Sequence, residues 1–242
     1  MNPASQPQPA DVHTASPEYA ARFSGAAGRW MLSLQERIVL RQLAPCAGGT
    51  VLDVGGGHGQ LAHPLADAGY KITVIGSAPS CRHRIADLVD AGRCAFDVGN
   101  VVALPYPDKS FDAVVAVRML THCSVWPTLV KEMCRVSRGP VITDYPTSQS
   151  LNAIAPMLFK AKKKFEKNTR TWTLFKHRQV RDAFADAGFR RTGRVGQFFL
   201  PMVVHRALKC KPVSAFLEGC CRCLGLSRLW GTPVVGRWER RP

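Results

Sequence analysis

No stretch of about 18 consecutive apolar residues occurs in the 242-residue chain, so no membrane-spanning helix is expected. The longest apolar stretch, Phe198 to Val204, contains Pro201 and stops at His205. Acidic side chains are few, 17 Asp and Glu against 33 Lys and Arg, which leaves a net charge of +16. The opening residues MNPASQPQPADVHTASP have neither an apolar core nor a basic start. They read as a disordered tail over 1–18 and not as a signal peptide. Paired C-x2-C spacings are missing from the nine cysteines. That argues against a zinc site, and no metal is expected. Reduced thiols in a cytoplasm are the expected state, with Cys220, Cys221 and Cys223 read as small apolar residues on a helix.

What charge there is lies to one side. Residues 1–120 carry 10 basic and 10 acidic residues, whereas residues 121–242 carry 23 and 7, so the second half holds the whole excess. The basic half is expected either to meet something anionic, an acidic substrate group or a membrane surface contacted peripherally from the cytoplasmic side, or to be only a solvated charged face over a closed pocket.

The most informative stretch is Val51 to Gln60, VLDVGGGHGQ. Val51, Leu52 and Val54 form the short apolar run of a buried parallel strand. Gly55, Gly56, Gly57 and Gly59 then give a turn where the backbone can take positive φ and approach a ligand. Leu61, Leu65 and Ala68 suit a helix packed on the sheet. A dinucleotide fingerprint, G-x-G-x-x-G, fails because its last glycine would fall on Gln60. The pattern present is D-x-G-x-G-x-G, carried by Asp53, Gly55, Gly57 and Gly59. About 45 residues on, Asn100 to Val114 reads NVVALPYPDKSFDAV.

Together these two motifs resemble the class I S-adenosylmethionine (SAM)-dependent methyltransferases of small molecules, the group that includes the ubiquinone and menaquinone methyltransferases. The resemblance covers roughly Tyr19 to Gly188. It implies an α/β fold: a Rossmann-like, seven-stranded, mostly parallel sheet flanked by helices. One domain, 19–242, is expected, with helical insertions after the fifth strand (about 147–170) and before the last strand (about 201–225). The implied cofactor is SAM and the implied activity is methyl transfer to a small-molecule substrate. Asp53, Gly55, Gly57 and Gly59 would then lie at the cofactor. A single helix before the first strand, expected from Tyr19 to Leu43, would cover the pocket, with Tyr19 and Arg22 reaching the methionine carboxylate or serving only as a packing ring and a solvated charge.

Two positions depart from the family. An acid normally ends the second strand, Lys71 to Ile75, and bonds both ribose hydroxyls; here Gly76 and Ser77 follow, and a neutral Ser bonds one hydroxyl at most. Asn100 stands where an Asp usually accepts from the adenine amino group, and its carbonyl oxygen can do the same without charge. Asp97 is the alternative, and Val101 would supply apolar contact to the ring.

The substrate side is read from strand ends. His122, beyond the fourth strand (Phe111 to Val117), matches a family position near the sulfonium and is the candidate general base; its alternative is a loop-capping role. Arg118 would bind an acidic substrate group or pair with Asp112 or Asp144. Asp144 and Tyr145 follow the fifth strand at its carboxyl end, where open α/β sheets bind ligands, although Pro146 also suits a plain turn. In the insertion, Lys160, Lys162, Lys163, Lys164 and Lys167 form a charge run that is either a solvated face or an anion-facing one. Arg170 beside Trp172 suits an anionic or aromatic substrate. Nucleic acid is a poor fit as substrate, since Arg118-Met119-Leu120 is unlike the N-P-P-Y turn of base-amine methyltransferases. A non-catalytic scaffold is the remaining alternative, and the four glycines of the turn argue against it.

Overall fold

The computed structural model describes residues 10–21, 23–151 and 173–242. Seven strands form one sheet: β1 (Thr50–Val54), β2 (Lys71–Gly76), β3 (Cys94–Val98), β4 (Ala113–Ala116), β5 (Val141–Tyr145), β6 (Phe189–Phe198) and β7 (Thr232–Arg240), in the order β3-β2-β1-β4-β5-β7-β6. The first five pair in parallel, and β7 inserts antiparallel between β5 and β6. This is the expected fold. Chain order reverses direction across the sheet between β1 and β4, so the carboxyl ends of these two strands flank a natural crevice.

The central strands are apolar on both faces because helices cover both. On one face Val51, Val74, Val115 and Ile142 pack with α3 (Gly25–Leu43), α4 (Ala62–Asp67) and α5 (Ala86–Asp90) through Val39, Leu43, Leu65 and Leu88. On the other, Leu52, Val54, Val114 and Ala116 meet α6 (Trp126–Val136) and α7 (His177–Asp186) through Leu129, Met133, Val180 and Phe184. Phe184 stacks on Trp238 of β7, with centroids 4.2 Å apart and rings within 2° of parallel.

Two elements differ from expectation. The tail boundary at residue 18 does not hold for residues 10–18: α1 (Ala10–Thr14) and α2 (Pro17–Ala21) are helical, and the Asp11 and Thr14 side chains are buried. The single helix expected from Tyr19 to Leu43 is broken into α2 and α3, with Gly25 at φ 75° where the chain turns. The insertion before the last strand consists of α8 (Met202–Leu208), α9 (Lys211–Cys223) and α10 (Leu226–Trp230). Residues 152–170 of the other insertion, including the lysine run and Arg170, lie outside the described residues, as does Arg22. At the sheet edge, β6 carries a bulge between Arg191 and Gly193.

The Phe184–Trp238 stack ties α7 to the antiparallel end of the sheet. Phe184→Ala is expected to cost about 3–5 kcal/mol of unfolding free energy, measured by urea denaturation, with the transition remaining cooperative.

Candidate active site

The glycine turn is built for tight approach. Gly55 (φ 72°) and Gly59 (φ 74°) are left-handed, and Gly56–His58 between them make one 3-10 turn. The Gly55 N–H donates to the Ile75 carbonyl at 2.8 Å, which ties the turn to β2. A Cβ at Gly55 would lie 2.3 Å from the Met119 sulfur, and one at Gly57 would lie 2.5 Å from Cys81 Cβ and 2.6 Å from its carbonyl oxygen. Gly57 is therefore required by the segment Pro79–Ile85 packed against it, and not only by open space for a ligand.

Asp53, beneath the turn, is fully buried, and neither carboxylate oxygen has a hydrogen-bond partner among the described residues. Burial pushes its pKa up to about 7, against a smaller downward pull from the Arg118 guanidinium. His58 is also buried. Its Nδ1 accepts from the Gln60 N–H at 3.1 Å, which puts the proton on Nε2, 3.3 Å from the Val117 carbonyl. Burial, and then Arg118, hold its pKa well below the usual imidazole value. His58 thus acts as a neutral strut from the glycine turn to the end of β4.

Arg118 is the hub. It has φ 60°, a strained conformation for a non-glycine residue. Its backbone N–H donates to Asp144 at 2.6 Å, and its side chain donates to Gln60 Oε1 at 2.5 Å. The guanidinium lies over the Phe23 ring at 5.0 Å and the Tyr19 ring at 5.4 Å, while its buried Nε has no hydrogen-bond partner. Asp112 does not pair with it; that carboxylate takes Arg138 and Thr50 instead. Asp144 is buried and also accepts from Gln35 Nε2 at 2.8 Å. Burial raises its pKa, and the Arg118 N–H opposes that.

A cavity of about 130 Å³ opens beside this hub. Arg118, Gln35, Thr121, His122 and Asp144 give its polar wall; Tyr19, Phe23, Met31, Leu32, Phe198 and Met202 give the apolar one. His122, at the end of the 3-10 turn Leu120–His122, meets Tyr19 edge to face at 6.3 Å. Arg118, Asp144, His122 and Tyr19 are therefore brought together around one cavity. Tyr145 is not: it is fully buried in the core against Phe175, its hydroxyl 3.1 Å from His177 Nδ1. Alternation along β5 turns it to the opposite face from Asp144.

At the other end of the crevice, Asn100 Oδ1 accepts from the Val102 N–H at 3.1 Å, and Val101 is buried in the core. Asp97 accepts from the Tyr106 hydroxyl at 2.6 Å. Ser77 meets a residue that sequence reasoning missed. Asp11 of α1 accepts from the Ser77 N–H and from its hydroxyl, both at 2.5 Å, and is itself fully buried. Arg84 donates to the Ala15 and Ser16 carbonyls and holds the same segment down. No local pattern marked Asp11, Gln35, His58 or Gln60, because their partners are distant in sequence.

Because Asp53 has a raised pKa in the folded state, its favourable contribution is complete below the unfolded value near 3.9 and is lost as pH rises through about 7. Asp53 is expected to lower the melting temperature as pH rises from about 4 to about 7, and Asp53→Asn should flatten that fall, as followed by calorimetry.

Residues 52–139 match the family model described as methyltransferase domain. An uncharacterized methyltransferase of Mycobacterium avium is 36% identical over 92 residues, covering 38% of this chain and 36% of that protein. A demethylmenaquinone methyltransferase of Renibacterium salmoninarum is 30% identical over 118 residues, covering 47% of this chain and 45% of that protein. The alignments thus span less than half of these curated relatives. Among solved structures, magnesium protoporphyrin IX methyltransferase of Synechocystis with bound SAH superposes with a TM-score of 0.67 at 13% identity, over 96% of this chain and 98% of that one. At that identity the likeness is one of fold.

Proposed function

We infer, for a chain whose residues 52–139 form a class I SAM-dependent methyltransferase domain of the small-molecule kind, that it methylates a small lipophilic substrate held in the cavity beside Arg118. The observation that carries this reading is one juxtaposition: a glycine turn over an orphaned carboxylate, Asp53, next to a largely apolar cavity with a histidine on its wall.

The residues present fit the cofactor. Asp53 lacks a partner, and SAM is a cation at both its sulfonium and its ammonium, so a buried carboxylate without a donor complements it. The missing acid after β2 has a substitute in Asp11. Its two bonds to Ser77 and one from the Cys81 thiol at 3.5 Å use three of about four acceptor positions on the carboxylate, which leaves one for a ribose hydroxyl. Since Asp11 is fully buried, α1 must lift for a ligand to enter and then closes over it.

When bound, SAM supplies a methyl group already activated on a sulfonium. The chain's own work is then to orient the acceptor and exclude water. Met31, Leu32, Phe198 and Met202 hold an apolar body, and Arg118 takes an acidic group if the substrate has one. His122 receives the proton that the attacking atom of the substrate gives up. The demethylmenaquinone named for the Renibacterium relative makes hydroquinones and phenols the first acceptors to try.

Release of S-adenosylhomocysteine from SAM with such acceptors tests the reading, and failure to bind SAM in calorimetry would overturn it. His122→Ala is expected to lower turnover about 100-fold while leaving the melting temperature unchanged; undiminished turnover would remove His122 from the reaction. Asp11→Asn should weaken SAM binding about tenfold. Tighter binding in that variant would mean that α1 obstructs the site and does not complete it.

A further inference from the structure

Between Met202 and Trp230 the sequence has five Lys and Arg residues and a single acid, Glu218. That acid is buried. Its carboxylate accepts from the backbone N–H groups of Phe199 at 3.0 Å and Leu200 at 2.9 Å, and His205, itself fully buried, lies 3.1 Å away. These contacts fix which way α9 faces. Ser214 and Glu218, one turn apart, point inward. Val213, Phe216, Cys220, Cys223 and Leu224, spaced by three or four residues or adjacent at the helix end, point outward and are exposed. The helix is amphipathic with its apolar stripe in solvent and its polar stripe in the protein, the reverse of an ordinary surface helix.

The next helix repeats the arrangement. In α10, Ser227 is buried while Leu229 and Trp230 are 57% and 46% exposed. Seven large apolar side chains are exposed among the described residues, and six of them fall between Leu208 and Trp230, with Phe216 at 70% and Leu224 at 74%. Arg206, Lys209, Lys211, Arg222 and Arg228 are also exposed, so the same segment presents no exposed acid. An exposed apolar patch of this kind marks a surface that meets something else.

We propose that the outer face of α9 and α10, with the end of α8, is a docking surface for an anionic lipid bilayer. The charge chooses the occupant. A second copy would set +16 against +16 with no acid on this face to offset it, whereas apolar side chains ringed by Lys and Arg, with a Trp at the margin, suit the boundary between acyl chains and acidic headgroups. The position also serves the reaction. Met202 at the start of α8 lines the cavity, and Leu208 at its end belongs to the exposed face. They lie six residues apart on one helix, about 9 Å, so the docking face would hold a lipophilic acceptor close to the cavity. This delivery role rests on the methyl-transfer reading; the docking itself does not, and it is measured without cofactor.

Co-sedimentation with vesicles of phosphatidylcholine plus phosphatidylglycerol, against phosphatidylcholine alone, decides the matter. The full chain should pellet with the anionic vesicles at low salt and be released at high salt. Phe216→Ser with Leu224→Ser should lower that binding about tenfold or more, and so should Lys209→Gln, Lys211→Gln and Arg228→Gln together. Melting temperatures should be unchanged, because all five side chains face outward. Wild type that ignores anionic vesicles overturns the proposal. So does a Phe216→Ser, Leu224→Ser variant that binds like wild type, or self-association of wild type, lost in that variant, with no vesicle binding.

Discussion

The carboxylate of Asp144 holds three elements at one point. It accepts from the backbone of Arg118 at the end of β4 and from Gln35 of α3, while itself ending β5. The bond to the Arg118 N–H fixes the residue that turns the chain out of β4 with a positive φ, and that turn sends the guanidinium back over Tyr19 and Phe23. Asp144 and Arg237 of β7, which donates to the Gln42 carbonyl, both tie α3 to the sheet. The cost is concentrated charge: Asp53, Asp144 and Glu36 all have raised pKa values because burial disfavours their ionised forms, and Arg118 is the one cation that pulls all three back down.

Most of the fold was legible because its signals are local. The apolar run Val51 to Val54, the glycines after it and the SFD segment before β4 each fall within a dozen residues, and parallel order follows from strands separated by helices. The boundaries moved where local signals compete. Gly25 splits a continuous helical pattern, and β5 runs on through Asp144 and Tyr145 because β7 pairs with both. The first 18 residues look unstructured on composition, yet Ala10–Thr14 and Pro17–Ala21 are helical, for the reason that Asp11 and Thr14 are buried against the body of the domain and composition carries no record of a partner at Ser77.

The site was legible in part. As candidates, Asp53 and the glycines follow from the D-x-G-x-G-x-G motif, Arg118 and Asp144 from their place at strand ends, and His122 from the family position it matches. Tyr145 was misread because a strand end and a turn look alike until alternation assigns its face. Gln35, His58 and Gln60 were missed because each is defined by a partner 28 or more residues away: Asp144, Val117 and Leu32 or Arg118 respectively. For α9 the sequence offers Cys220, Cys221 and Cys223 as small apolar residues on a helix, but it does not tell which side faces the protein; the bonds from Glu218 to the backbone of Phe199 and Leu200 do.

The order of strands leaves β6 at one rim of the sheet, where an unpaired backbone invites other chains to add themselves. That rim is guarded in two ways. The bulge between Arg191 and Gly193 breaks the regular ladder, and Arg190, Arg191 and Arg194 line the strand with like charge, so an identical strand approaching it meets both a broken hydrogen-bond pattern and electrostatic repulsion. The basic second half of the chain thereby keeps copies of the sheet apart, and colloidal stability at this edge is tied to ionic strength.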